Sequence, residues 1–91
     1  MGVLEEKIEK RFCDLAKMHG AKCLKLSIIS RRGYPDRVLL YPGGRVEFVE
    51  LKRPGKKPRK LQEKRLRELR DLGFTAEYLD TLELVEAWFD Q

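Results

Sequence analysis

The sequence predicts an α/β fold in which helices flank a mixed four-stranded β-sheet, with the elements in the order α-β-β-β-α-β-α. Three observations predict it. Apolar residues recur at helical spacing near the start, middle and end of the chain. Alternating or β-branched segments lie between these helices. A proline and two glycines separate the second and third strands, so we expect these strands to form an antiparallel hairpin.

The first helix is predicted at residues 3–19. Its apolar side chains recur every three or four positions, as on one buried helix face, at Leu4, Ile8, Phe12 and Leu15. Gly20 is expected to end it, because glycine readily adopts the left-handed conformation that follows a helix. The first strand is predicted at residues 23–29, where apolar residues alternate with polar ones and β-branched residues follow.

A loop at residues 30–35 should lead to the hairpin strands, predicted at residues 36–41 and 45–52. After them we expect a helix at residues 59–72 and a fourth strand at residues 74–79. Because a helix joins the third strand to the fourth, the fourth should run parallel to a neighbour through a right-handed crossover. A last helix should follow, and the whole chain, residues 1–91, is expected to form one domain.

The length of the hairpin loop decides which side chains face each other. A loop of three residues sets Tyr41 opposite Arg45 and Asp36 opposite Glu50. A loop of the two glycines alone would place Asp36 opposite Leu51, on the other face of the sheet. We therefore predict the three-residue loop, or a bulge that restores the same pairing.

The composition excludes several classes of protein. Of 91 residues, 20 are Lys or Arg and 15 are Asp or Glu, and the formal net charge of +5 suits a polyanionic partner. No apolar run approaches the ~18 residues of a membrane helix, and the N-terminus lacks the apolar block of a signal peptide. We therefore expect a cytoplasmic protein with no membrane partner. The single histidine, His19, nearly excludes zinc sites and histidine-based triads.

Glu50 and Lys52 are the first residues that indicate chemistry. They stand two positions apart on a predicted strand, so their side chains leave the same face. Charged groups at the end of a largely apolar strand cost desolvation free energy unless something compensates. Two explanations stay open at this point. One is an ordinary ion pair at the strand's edge, and the other is a divalent cation bound by Glu50 and the facing Asp36.

Three segments together resemble a known group of nucleases. Gly33-Tyr34-Pro35-Asp36, the hairpin, and Val46-Glu47-Phe48-Val49-Glu50-Leu51-Lys52 are similar to the PD-(D/E)xK signature of restriction-endonuclease-like nucleases. Leu61-Gln62, a leucine-rich helix and Gly73 follow at a spacing similar to the virus-type replication-repair nuclease (VRR-NUC) family. Its stand-alone phage members resemble this chain in length. The resemblance covers nearly the whole chain and implies a restriction-endonuclease-like core.

The resemblance implies a centre that uses Mg²⁺ or Mn²⁺ and no organic cofactor. Asp36, Glu50 and the backbone carbonyl of Leu51 are the implied metal ligands. Lys52 is implied to hold the attacking water or to offset charge growing on the phosphate. The resemblance also implies products with a 5′-phosphate and a 3′-hydroxyl.

Gln62 and a glutamate of the first helix are the other catalytic candidates. Gln62 falls on the leucine-rich arc of its helix, so it should point inward, either as a tolerated polar residue or, as the family implies, to orient Lys52 or the water. Arg65 shares this arc and is expected to extend its guanidinium outward. Related nucleases carry a first-helix glutamate that reaches the site. Glu5 matches it best and Glu9 is second, although ordinary surface acids would explain both.

Positive charge surrounds the predicted centre. Residues 52–60 contain six cations, two prolines and no acid in nine residues. We expect DNA phosphates to contact Arg31, Arg32, Arg53, Lys56, Lys57, Arg59 and Lys60. No aromatic platform for stacking bases accompanies them, which favours recognition of backbone and shape.

The resemblance further implies a homodimer. Stand-alone relatives are similar to Holliday junction resolvases, so branched or junction DNA is the expected substrate, in replication, recombination or repair. Four-way junction, flap and duplex all stay open as the preferred DNA. Two other classes compete: a non-catalytic nucleic-acid-binding domain with the same fold, and a small protein whose basic loop meets an acidic partner. The combination of Asp36, Glu50 and Lys52 argues against both.

Overall fold

The computed structural model describes residues 2–90, with side chains described from Glu5 to Asp90. These residues form, in the predicted order, α1 (Gly2–Met18), β1 (Lys22–Lys25), β2 (Arg37–Leu40), β3 (Val46–Leu51), α2 (Lys60–Asp71), β4 (Thr75–Leu79) and α3 (Leu82–Phe89). The side chain of Leu4, predicted on the buried face of the first helix, lies outside the described residues. No helix in the described part is long and apolar enough to cross a membrane.

The four strands form one mixed sheet in the order β1-β2-β3-β4. β1 and β2 pair antiparallel, as do β2 and β3, whereas β4 runs parallel to β3. The parallel pair forms because α2 carries the chain back to the end of the sheet at which β3 began. The predicted fold class, element order and mixed sheet are confirmed.

The β2–β3 hairpin has the predicted register. Arg37 lies opposite Val49, and the N–H of Tyr41 donates to the carbonyl of Arg45 at 2.9 Å. Residues 42–44 are therefore the loop, and no bulge is needed in β2 or β3 to restore the pairing. The two glycines of this loop have φ of 89° and 90°, a conformation that other residues rarely adopt.

β1 is shorter than predicted, and its predicted C-terminal end is wrong. The strand stops at Lys25, although the N–H of Leu26 still donates to the carbonyl of Asp36 at 2.8 Å. Beyond this bond the partner segment does not continue the ladder, because Gly33 turns the chain with φ of +85°. The chain therefore leaves the sheet and forms a loop.

Apolar clusters lie on both faces of the sheet. On one face, α1 and α3 pack over the strands, and the buried residues of that cluster are Ile8, Phe12, Leu15, Ala16, Ala21, Leu39, Val49, Leu51, Leu79, Val85 and Phe89. On the other face, Leu66 and Leu69 of α2 pack with Ala76, Phe48 and Tyr34. β3 and β4 are thus covered on both faces through alternate side chains, whereas β1 and β2 contribute only to the cluster under α1 and α3.

Gly33 lies in the loop that follows β1, where this loop packs closely against α2. A Cβ atom at this position would lie 2.7 Å from Cγ of Leu61, 3.1 Å from its carbonyl oxygen and 3.2 Å from Cγ of Arg65. A side chain therefore has no room there. We name residues 26–36, between β1 and β2, the β1–β2 loop.

We predict that Gly33→Ala lowers the free energy of unfolding by about 2–5 kcal/mol. The positive φ costs a side chain roughly 1–2 kcal/mol, and forced repacking costs roughly 1–3 kcal/mol more. Gly43 is a matched control, because its φ is +89° and nothing lies within 4 Å of an added Cβ. Urea unfolding of both alanine variants measures the difference. Equal losses would contradict a packing role for Gly33.

Candidate functional site

Asp36 and Glu50 face each other at the start of β2 and the end of β3. The register of the hairpin pairs their positions directly. Oε1 of Glu50 accepts a hydrogen bond from the N–H of Asp36 at 3.1 Å, and Oδ1 of Asp36 accepts one from the N–H of Leu51 at 3.1 Å. Each carboxylate is therefore held by the backbone of the other's strand. The two acids lie on one face of the sheet, as the three-residue loop predicts.

The electrostatics of this pair are unfavourable without a cation. The pKa of Glu50 is raised to about 7, first by burial and then by the neighbouring charge of Asp36, while Lys52 opposes the shift. Burial also raises the pKa of Asp36, against the hydrogen bond from Leu51 and the charge of Arg37. Desolvation and a like charge both disfavour the ionised form. A divalent ion between the carboxylates would remove both penalties.

Lys52 and Gln62 both reach the same oxygen of Glu50. Nζ of Lys52 lies 3.4 Å from Oε2 of Glu50, and both side chains are largely buried. Nε2 of Gln62 donates to that oxygen at 3.3 Å. The other end of the amide is also fixed, because Oε1 of Gln62 accepts the N–H of Arg59 at 2.8 Å at the start of α2. The structure thus brings Asp36, Glu50, Lys52 and Gln62 together.

The first helix contributes Glu9 to the surroundings of Asp36. Oε2 of Glu9 lies 3.6 Å from the guanidinium of Arg37, and its charge raises the pKa of Asp36. Glu5 is half-buried, and no hydrogen bond or ion pair joins it to Asp36 or Glu50 within residues 5–90. Of the two first-helix candidates, the structure brings Glu9 nearer to the acids.

Arg37 is a charged residue near the site that the sequence analysis did not identify. It is 7% exposed, and its Nε has no hydrogen-bond partner among the described residues. Its positive charge lowers the pKa of Asp36. The signal that could have found it is strand alternation. Arg37 follows Asp36 directly and shares the inward phase of Leu39, which is fully buried.

Arg65 does not extend outward, and that prediction is wrong. Its side chain is 16% exposed. Nε donates to the carbonyl of Arg32 at 2.9 Å, and Nη1 donates to Glu68 at 2.9 Å. The guanidinium also lies 4.9 Å from the ring centre of Tyr34, within the range of a cation–π contact. The carbonyl of the β1–β2 loop gives Arg65 a partner that makes the inward position favourable.

The predicted phosphate contacts are exposed and leave the sheet beside the two acids. Arg31 and Arg32 precede Asp36 in the β1–β2 loop. The others, Arg53, Lys56, Lys57, Arg59 and Lys60, follow β3 and are exposed. The N–H of Gly55 donates to Asp80 at 3.3 Å, which ties this basic loop to the end of β4. Exposed cations therefore precede the strand that follows Asp36 and follow the strand that ends beside Glu50.

The donor set fits a hard divalent cation. Asp36 and Glu50 supply carboxylate oxygens, and the backbone of Leu51 lies beside Asp36 because its N–H donates to that side chain. Among the described side chains, no histidine, cysteine or third acid joins them in a metal-binding cluster. An oxygen-only set with few protein ligands suits Mg²⁺ or Mn²⁺, which keep several waters, and does not suit zinc.

Comparison with known proteins identifies relatives of this chain. The chain is 35% identical over 82 residues to “Putative nuclease p44” of Acyrthosiphon pisum secondary endosymbiont phage 1, across 90% of this chain and 88% of that protein. A solved structure described as “VRR_NUC domain” matches with a TM-score of 0.89 at 25% identity, across 96% of this chain and 95% of the other. This chain belongs to the VRR-NUC family of nucleases.

A second solved structure, described as “VRR_NUC domain protein”, shares the fold of this VRR-NUC chain. Its TM-score is 0.65 at 16% identity, across 96% of this chain and 85% of the other. No protein-family model matches the chain. The family assignment therefore depends on the phage relative and the structure with the higher TM-score.

We predict that the stability of this VRR-NUC protein without metal falls as pH rises from about 4.5 to about 7, since the pKa of Glu50 is raised from 4.5 to about 7. The folded state keeps a proton that the unfolded state loses in this window, so ionising Glu50 favours unfolding. Urea unfolding in EDTA at a series of pH values measures the slope. Glu50→Gln should flatten it, and parallel curves for the two proteins would contradict the raised pKa.

Proposed function

We propose that this protein is an Mg²⁺- or Mn²⁺-dependent DNA endonuclease that hydrolyses phosphodiester bonds. The observation that carries the proposal is the convergence of Asp36, Glu50, Lys52 and Gln62 at one end of the sheet. Two buried carboxylates that face each other cost folding free energy, and a metal between them would offset that cost. With the amine of Lys52 and the amide of Gln62 beside them, they form a set of groups that can hydrolyse a phosphodiester with a metal.

In the proposed mechanism, Asp36 and Glu50 hold the metal, with the carbonyl of Leu51. Such an ion, when bound, lowers the pKa of a water and neutralises charge on the scissile phosphate. Nζ of Lys52 carries a positive charge beside Glu50 and can donate to a phosphate oxygen as negative charge grows there. Gln62 holds Glu50 in place through Nε2. A water oxygen forms a bond to phosphorus as the bond from phosphorus to the 3′-oxygen breaks, and the 3′-oxygen takes up a proton from solvent, which leaves a 3′-hydroxyl and a 5′-phosphate.

Glu9 is the first-helix glutamate that we propose to act near this centre, in preference to Glu5. Its carboxylate already influences Asp36. The ion pair with Arg37 is long, at 3.6 Å, and involves a guanidinium whose Nε has no partner among the described residues. A modest shift of the Glu9 side chain would therefore not break a well-formed pair.

We further propose that the substrate is branched DNA, such as a Holliday junction, and that a homodimer cuts it during replication, recombination or repair. The exposed cations on both sides of the acids support a track for two phosphate backbones. A homodimer would supply one active centre for each of the paired incisions on opposite strands of a junction. The phage source of one relative supports action in the cytoplasm of a host cell.

We predict that Asp36→Asn and Lys52→Ala each lower DNA cleavage at least about a hundredfold, the loss typical of removing one group that stabilises transition-state charge. The measurement is cleavage of labelled four-way junction, flap and duplex DNA with Mg²⁺, Mn²⁺ or EDTA. Paired, symmetric incisions in the junction are the expected pattern for a dimer.

Asp71→Asn and Lys17→Ala are matched controls for these variants. Both side chains are exposed, at the ends of α2 and α1, and outside the site. They should cleave like wild type. Cleavage that persists in EDTA or in Asp36→Asn would contradict the metal mechanism. Binding without any cleavage by wild type would favour the non-catalytic domain.

We predict that Lys56→Ala combined with Lys57→Ala weakens DNA binding and flattens its salt dependence. Each lost phosphate contact reduces the slope of log K against log salt by about 0.9. Binding is measured at several salt concentrations in an Asp36→Asn background, so that the DNA stays intact. Lys17→Ala with Lys22→Ala removes the same charge at the far end of the sheet and should change the slope less. Equal slopes for the two double variants would show that Lys56 and Lys57 do not contact DNA phosphates.

A further inference from the structure

The tip of the β1–β2 loop carries two adjacent apolar side chains with no use in the proposed chemistry. Ile29 is 102% exposed and Ile28 is 40% exposed. Ile29 and Ser30 form a turn, so the tip is the outermost part of the loop. Single exposed apolar residues are common on protein surfaces. The argument for a role therefore depends on where these two residues lie and how firmly they are held.

The loop begins and ends at the proposed catalytic centre. Its first residue, Leu26, donates its N–H to the carbonyl of Asp36 at 2.8 Å. Asp36 is also the last residue of the loop, so its base is closed beside the metal-binding acid. The isoleucine tip therefore projects from a loop whose two ends meet beside Asp36.

The part of the loop behind the tip is fixed to α2. Arg65 binds the carbonyl of Arg32 at 2.9 Å and lies over the ring of Tyr34. Gly33 lies against Leu61 with no room for a side chain, and the side chain of Pro35 is fully buried. Arg32, Gly33 and Tyr34 thus all contact α2, and these contacts hold in place the part of the loop from which the exposed tip projects.

Two exposed arginines separate the tip from the anchored part. Arg31 and Arg32 follow the turn directly. An apolar tip with cations at its base is complementary to a partner whose stacked apolar surfaces are flanked by negatively charged groups. DNA has this arrangement, with bases inside and phosphates outside. A second copy of this basic chain matches it less well, because the arginines would then approach further positive charge.

We propose that Ile29, supported by Ile28, inserts between bases at the branch point of a DNA junction, while Arg31 and Arg32 contact the adjacent phosphates. The proposal rests on the proposed function and specifies its substrate class. Apolar side chains, isoleucine among them, can wedge between base steps at an unstacking cost of a few kcal/mol. A branch point has already lost part of its stacking. The wedge therefore favours branched DNA over continuous duplex.

The test compares Ile29→Ser with wild type, both in an Asp36→Asn background that leaves DNA intact. The ratio of the dissociation constants for continuous duplex and four-way junction is measured by competition. A 2-aminopurine base beside the branch reports unstacking by fluorescence. We expect Ile29→Ser to lower the duplex-to-junction ratio about tenfold, a smaller effect than the full cost of unstacking one base step, and to abolish the fluorescence rise.

Two further variants separate a wedge from a general loss of apolar surface. Ile29→Leu keeps an apolar side chain of the same size and should keep both the ratio and the fluorescence rise. Met18→Ser removes another exposed apolar side chain, 76% exposed at the end of α1, and should also behave like wild type. Urea unfolding checks that each variant remains folded.

Several outcomes would overturn the wedge. One is that Ile29→Ser keeps both the wild-type ratio of dissociation constants and the wild-type fluorescence rise. A shift from dimer to monomer in sedimentation of Ile29→Ser would also do so, because the tip would then be an interface between copies. Failure of the proposed nuclease activity gives a different result from failure of the wedge. Wild type would then raise the 2-aminopurine fluorescence at the branch but cut no DNA with either metal. That result would support the wedge and contradict the proposed reaction.

Discussion

Asp36 and Glu50 face each other across the β2–β3 hairpin, and each accepts a hydrogen bond from the backbone of the other's strand. Backbone N–H groups fix the position of a carboxylate but carry no full charge to neutralise it. The pair is therefore held in place while burial raises the pKa of both acids, and the charge of Asp36 also raises the pKa of Glu50. A site of this kind favours a cation because Lys52 and Arg37 oppose these shifts only in part.

Gln62 connects the stability of α2 to the geometry of this pair. The first N–H groups of a helix need acceptors, and Oε1 of Gln62 serves the N–H of Arg59. The helix therefore sets the orientation of the amide, which directs Nε2 toward Glu50. A glutamate could accept the same N–H but would add a third negative charge. A glutamine can both accept the N–H of Arg59 at the N-terminus of α2 and donate a hydrogen bond to Glu50 without adding a charge.

The sequence predicts the facing acids well because strand alternation and loop length are local properties. The helical wheel also places Gln62 inward, where the structure has it. Other parts depend on how distant elements pack. Periodicity could not distinguish Glu5 from Glu9, since the choice depends on how α1 lies over Arg37. The outward prediction for Arg65 failed because its partner, a carbonyl of the β1–β2 loop, belongs to a segment whose path the sequence alone did not predict.

Pro35 would stand opposite Leu51 if the pairing of β2 with β3 continued by two more residues. Because the N–H of Tyr41 donates to the carbonyl of Arg45, alternate pairs of this ladder carry its hydrogen bonds, and Pro35 with Leu51 would be one of them. Pro35 has no N–H, so it cannot donate to the carbonyl of Leu51. Gly33 then turns the chain toward α2 with its positive φ, and the sheet ends here. The proline before the acid thus has a physical role, since it withholds a ladder bond from the carbonyl that we propose as the third metal ligand.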